Sequence, residues 1–238
     1  MRLPSRTAQL LAVAALPLAL TATACSSDGT AKATTASPAP AKAKDPNEGL
    51  LTGTQLKKTL APATYFPAGF AVDPEATRDT GDTYRAPATR IAAKSDCTRF
   101  GSTGWIDLSG IEGVSFAQNS YVDKNTSSEL DQEVDVYRGT TSTEVMTALT
   151  KVVAACPSYP DADTKSTVKI TGTASPGLGD DAYTVTLTDA AWESGTTLIA
   201  VRVGTAVVSV LSTDGADNGS ASAKKLAEQV VSSLKAAA

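Results

Sequence analysis

Three cysteines and no histidine decide which chemistries are open to this chain of 238 residues. Without imidazole there is no Ser-His-Asp or Cys-His catalysis and no zinc site built on a histidine ligand. The usual acid/base near neutral pH is missing as well. Carboxylates are what remain. "Asp79-Thr80-Gly81" has the residue order in which two like carboxylates can share a proton, but that chemistry needs a second copy on apolar-flanked strands. Here the flanks are Arg78 and Asp82 and there is no second copy, so a turn is expected. Asp180 and Asp181, in "Gly177-Leu178-Gly179-Asp180-Asp181", could present two carboxylates to a cation or a polar ligand. Neighbours in an extended chain point oppositely, however, so a turn leading into the Tyr183 strand is the plainer reading. "Asp214-Gly215-Ala216-Asp217-Asn218-Gly219" lacks the alternating oxygens and terminal Glu of a calcium loop. It reads instead as a loop whose Asn218 or Ser220 caps the last helix. Trp105 and Trp192, the only tryptophans, could line a ligand cleft or serve as core and rim residues. Arg138 and Arg202 could meet an anionic group or sit solvated on the surface. There is no Gly-rich phosphate loop and no Gly-x-Ser-x-Gly elbow. No cofactor and no metal site is implied.

The cysteines carry the clearest message. Arg2 and Arg6 followed by the apolar Ala8 to Leu20 read as a secretory signal over residues 1–24, too short for a spanning helix. No later stretch is long or apolar enough for one. "Ala22-Thr23-Ala24" fits an ordinary signal peptidase, which would leave Cys25 as a free terminal thiol. With Cys25 it also resembles the lipobox of bacterial lipoproteins, with Ala22 and the upstream Leu20 in place of the usual leucine. In that case Cys25 becomes the acylated N-terminus. An odd cysteine count in an exported chain commits one thiol elsewhere. Lipidating Cys25 leaves Cys97 and Cys156 as an even pair in an oxidising compartment. A bridge between them closes a loop of about 60 residues, worth about 4 kcal/mol in the chain-entropy model; the alternative is two separate buried thiols. Two acyl chains, at about 0.8 kcal/mol per buried methylene, suffice for stable anchoring. The implied partner is the lipid bilayer. Without the signal, 19 of the 21 basic residues face 25 acidic ones, and no basic patch suggests nucleic acid.

The elements that must position these residues begin after a tether. Residues 25–48 are Ala, Thr, Ser, Pro and Lys with almost no large apolar side chain, unable to offset their ordering entropy. Their reach is roughly 25 Å. The domain is expected over 49–238. Leu56 and Leu60 stand at helical spacing before Pro62, and residues 62–94 read as a punctuated loop tied down by Tyr65, Phe66 and Phe70. Strands are predicted at 113–122 and 129–137. In the second, Leu130, Val134 and Val136 share one face while Asp131, Glu133 and Asp135 share the other, a half-buried antiparallel strand. A helix then opens on a Thr141/Glu144 capping box. Its apolar stripe runs Val145, Met146, Leu149, Val152, Val153 to Cys156, and Pro157 stops it. Strands follow at 167–171, 182–188, 196–203 and 206–212, the last two joined by a Gly204-Thr205 turn. A final helix spans about 220–236. The fold class is α+β, one domain with an antiparallel sheet covered by helices.

In that order, "LLTGTQL", "FPAGFAVDPEATRDTGD", "CTRFGSTGW", "VSFAQNSY", "EVDVYRG", "GLGDDA" and "AWESGTTLIAVRVG" resemble the extracellular sensor-like domain of PknH-type receptor kinases. The resemblance is nearer to the stand-alone actinobacterial lipoproteins that carry this domain. It covers about Leu50 to Leu234 and implies an antiparallel sheet with flanking helices around a ligand-binding cleft outside the cell. Kinase forms carry a second disulfide in the C-terminal half; residues 157–238 here have no cysteine and the chain has no kinase domain. The expected function is a membrane-anchored extracellular lipoprotein with a non-enzymatic binding or sensor-like domain. Its partner would be an extracellular small molecule or cell-envelope component, and its cleft candidates are Trp105, Arg138, Asp180, Asp181 and Trp192. The alternatives are a carboxylate-dependent hydrolase of cell-wall glycan, with two facing carboxyls at glycosidase separation, and an accessory subunit of a membrane complex.

Overall fold

Two runs of the sequence carry apolar side chains at consecutive positions, "TTLIAVRV" and "AVVSVLS". They form β7 (Thr196–Val203) and β8 (Ala206–Ser212). A strand apolar on both faces must be covered on both, and these two lie in the middle of the sheet. A computed structural model of the chain describes residues 44–88, 96–104 and 106–237. The signal segment, Cys25, most of the tether and Trp105 lie outside the described residues.

The sheet has eight strands in the order β1-β2-β3-β8-β7-β6-β5-β4, with every neighbouring pair antiparallel. The other strands are β1 (Phe70–Asp79), β2 (Ser115–Asp123), β3 (Glu129–Val136), β4 (Ser158–Pro160), β5 (Thr167–Ala174) and β6 (Asp181–Thr188). Four helices, α1 (Gly53–Lys57), α2 (Ile106–Ser109), α3 (Thr141–Ala155) and α4 (Ser220–Ala237), complete the α+β architecture.

Side chains alternate across the sheet, which gives two separate cores. On one face Ile199, Val201, Val208, Val210, Val134 and Val136 meet the α4 stripe of Ala223, Leu226, Ala227, Val230, Val231 and Leu234, with Leu56 of α1 and Phe66 extending the cover. On the other, Leu198, Ala200, Val207, Leu211 and Val185 meet Val145, Met146, Leu149, Val152 and Val153 of α3. Cys156, the C-cap of α3, is bonded to Cys97 with their Cα atoms 5.5 Å apart. The helix is thereby strapped to the segment running from Cys97 to Gly104.

Some elements depart from expectation. The 62–94 segment contains a full strand, β1, hidden in the sequence because Pro74 and a bulge between Asp73 and Arg78 break its alternation. Both features suit an edge strand, where a missing ladder donor costs little and irregularity discourages further pairing. The opposite edge, β4, is three residues long and ends on Pro160. The Thr141/Glu144 capping box is not formed. Helix α3 begins one residue earlier than that pattern requires, so its N-cap is Thr140, which makes no side-chain cap bond. A capping box stands instead on α1, where Thr52 and Gln55 satisfy one another's backbone N–H groups. The end of the expected tether is also part of the domain. Residues 45–48 form a turn, and the Arg138 guanidinium donates twice to Asn47 Oδ1, at 2.9 and 2.7 Å.

Candidate functional site

Helix α3 covers only the β5–β8 part of its face of the sheet. Over β1–β3 that same face is polar, and there the chain leaves a cavity of about 290 Å³. Strand register explains its lining. Arg78 of β1 lies opposite Gln118 of β2, and Gln118 opposite Glu133 of β3, one row across three strands. The next row pairs Phe116 with Asp135. Arg78 donates to Gln118 Oε1 at 3.1 Å. Arg85 is fixed by its backbone, whose N–H bonds the Val114 carbonyl at 2.7 Å. Its guanidinium stacks 4.7 Å above the Phe116 ring and pairs with Glu112 at 2.9 Å.

The floor is acidic. Glu133 is only 6% exposed, and Thr103 Oγ1 donates to its Oε2 at 2.8 Å. Thr103 belongs to the segment that Cys97 straps to α3, so the disulfide helps set the position of a cavity wall. Glu133 and Asp135 stand two residues apart on the same face of β3 and line the same cavity. Burial raises the Glu133 pKa, opposed by the bond from Thr103 and by the charge of Arg78. Burial pushes Asp135 up further, helped by Glu133 and opposed by Arg85. Gly113 makes room at this point, since a Cβ there would lie 3.0 Å from Asp135 Oδ1 and 3.1 Å from the Val136 carbonyl. Tyr137, 2% exposed, closes the floor, and burial with the adjacent carboxyls holds its phenol well above the ordinary tyrosine range. Further along β3, Asp131 is raised to about 6, mainly by burial.

None of the described cleft candidates from the sequence lines this cavity. Arg138 holds Asn47. Asp180 accepts from the Gly204 N–H at 2.7 Å and pairs with Arg202 at 3.2 Å, pinning the β6 entry to the β7–β8 turn. Asp181 is exposed and faces Arg202 across the β6–β7 ladder. Trp192 packs against the α3-side core. Cys97 and Cys156 form the bridge; Cys25 and Trp105 lie outside the described residues. The Asp79 triplet is a turn: Asp79 accepts from Gly81 N–H at 2.8 Å and Lys57 Nζ at 3.1 Å, bonds that lower its pKa and tie α1 to β1. Asp217, rather than Asn218 or Ser220, caps α4 through the Ala221 N–H.

Sequence reading missed Arg78, Arg85, Thr103, Gln118, Glu133, Asp135 and Tyr137 as a group. The available signal was the run of acids at every second position of β3, taken as one face of a half-buried strand. Nothing local shows that β3 lies inside the sheet, between β2 and β8, or that Thr103 stands over its acidic face.

Chemically, the site offers fixed donors beside two buried acids. Among the described residues no group of three acidic or cysteine side chains is arranged to hold a metal ion, and no helix is long and apolar enough to cross a membrane. No family model matches the chain, and comparison with the curated proteins returns no match.

Proposed function

We propose that this chain is an exported lipoprotein, anchored to the outer face of the membrane through acylated Cys25. Its domain over 49–238 is a non-enzymatic ligand-binding or sensor-like module of the PknH-like kind. The observation that carries the binding part is the polar cavity over β1–β3. Buried titratable groups are costly to keep in a fold, and a pocket that gathers several without an apparent structural need is a candidate binding site. The anchoring part rests on the apolar leader, the small residues before Cys25 and the pairing of the other two cysteines.

An accessory subunit would call for an exposed apolar patch. Among the described residues Val72 is the large apolar side chain left open to solvent, 48% exposed and isolated. The pocket is therefore the better-supported place of contact. Membrane fractionation of the wild type and Cys25→Ser tests the anchor: release of the variant is expected, and equal partition of both would overturn it. Incorporation of labelled palmitate into the wild type and not the variant identifies the lipid.

A further inference from the structure

We propose that the cavity over β1–β3 takes a neutral polyhydroxylated ligand of the size of a single sugar ring. This rests on the binding reading above and names the chemistry of the same site. The first argument is charge. Arg85 is already paired with Glu112 and stacked on Phe116. Arg78 is bonded to Gln118 beside Glu133, so the lining sets two guanidiniums against the carboxyls of Glu112, Glu133 and Asp135. An anion entering the cavity meets three carboxyls, and a cation meets two guanidiniums. A hydroxyl suits both: it accepts from a guanidinium N–H and donates to a carboxyl oxygen.

The second argument is the geometry of the donors and acceptors. Arg78, Arg85, Gln118, Glu133 and Asp135 all end in planar groups with two or more polar atoms, suited to adjacent hydroxyls on a ring. The third is Tyr137, which lines the cavity and brings a hydroxyl able to donate to or accept from a ligand oxygen. The volume, about 290 Å³, lies at the small end of ligand sites and admits one compact molecule.

The test uses the full chain carrying Cys25→Ser and measures binding by calorimetry and saturation-transfer NMR. The probes are D-glucose, D-galactose and N-acetyl-D-glucosamine, with glycine, L-lysine and inorganic phosphate as charged comparisons. At least one sugar is expected to bind, Tyr137→Phe to weaken it about fivefold, and Glu133→Gln to weaken it further, with melting of Tyr137→Phe close to wild type. Binding of a charged probe that is weakened by Tyr137→Phe, with no sugar bound, would overturn the polyol assignment and leave the binding reading standing. Absence of binding by every probe, or binding indifferent to both substitutions, would overturn both.

Discussion

One face of the sheet is finished in two different ways. Over β5–β8 it carries Leu198, Ala200, Val207 and Leu211 and is sealed by α3. Over β1–β3 the same face carries Arg78, Gln118, Glu133 and Asp135 around an open cavity. Apart from the bulge in β1 the strands alternate in both halves, so strand periodicity does not distinguish them. What differs is the cover. The apolar half is stabilised by close packing against a helix, whereas the polar half holds desolvated acids that each oppose folding. A half that costs stability and is nonetheless built in register, with Gly113 small where Asp135 needs space, is where function is expected.

The largest effect should come from cutting the strap between the halves. Cys97→Ser with Cys156→Ser removes the closure of a loop with separation 59, expected to lower stability by about 4 kcal/mol in denaturant titration. Because the strap also places Thr103, ligand binding should fall in the folded fraction. Retained binding would mean that the polar half holds its own shape. Next, Leu149→Ala in the apolar half should cost about 3 kcal/mol, since Leu149 is 1% exposed within the α3 core. Binding by the folded fraction should persist. A loss of binding at constant fold would show the two halves to be coupled through packing.

The opposite sign is expected from Asp131→Asn. Burial raises the Asp131 pKa to about 6, so the folded chain binds this proton more tightly than the unfolded one. Its contribution is therefore fully present below the unfolded value near 4 and is lost as pH rises through about 6. Asp79, whose pKa is lowered, contributes in the reverse sense at more acidic pH. The variant should be more stable than wild type at pH 7, by up to about 3 kcal/mol, and no more stable at pH 4. Thermal melting across that range reads the difference; equal curves at both ends would show that the polar half imposes no such cost.

The apolar half was legible in the sequence and the polar half was not. Periodicity reports which residues share a face, and for α3, α4, β7 and β8 shared apolarity already tells what that face must do. For β3 the same periodicity set Asp131, Glu133 and Asp135 apart from Leu130, Val134 and Val136. Whether the acidic face meets solvent depends on β1, β2, β8 and the strapped segment, which are distant in sequence. Edge strand β1 was hidden for a related reason: Pro74 and the bulge that protect it from further pairing also erase its alternation. Arg138 and Asp180 were noticed because charges near turns look available, but each is occupied in bonding backbone or a neighbouring side chain. The cysteine pair was legible because counting needs no geometry.

The smallest expected effect isolates the polar half most sharply. Thr103→Val keeps the shape of the side chain and removes the hydroxyl that donates to Glu133 at 2.8 Å. That bond favours the charged form of Glu133, so its loss should raise the Glu133 pKa further. Stability should fall by about 1 kcal/mol at neutral pH and by less where the acid pair is protonated. The Glu133 carboxyl signal, followed by NMR against pH, should titrate later in the variant than in the wild type. A purely structural threonine would alter stability equally at all pH and leave that titration where it was, in which case the strapped segment is a lid on the cavity and has no share in its electrostatics.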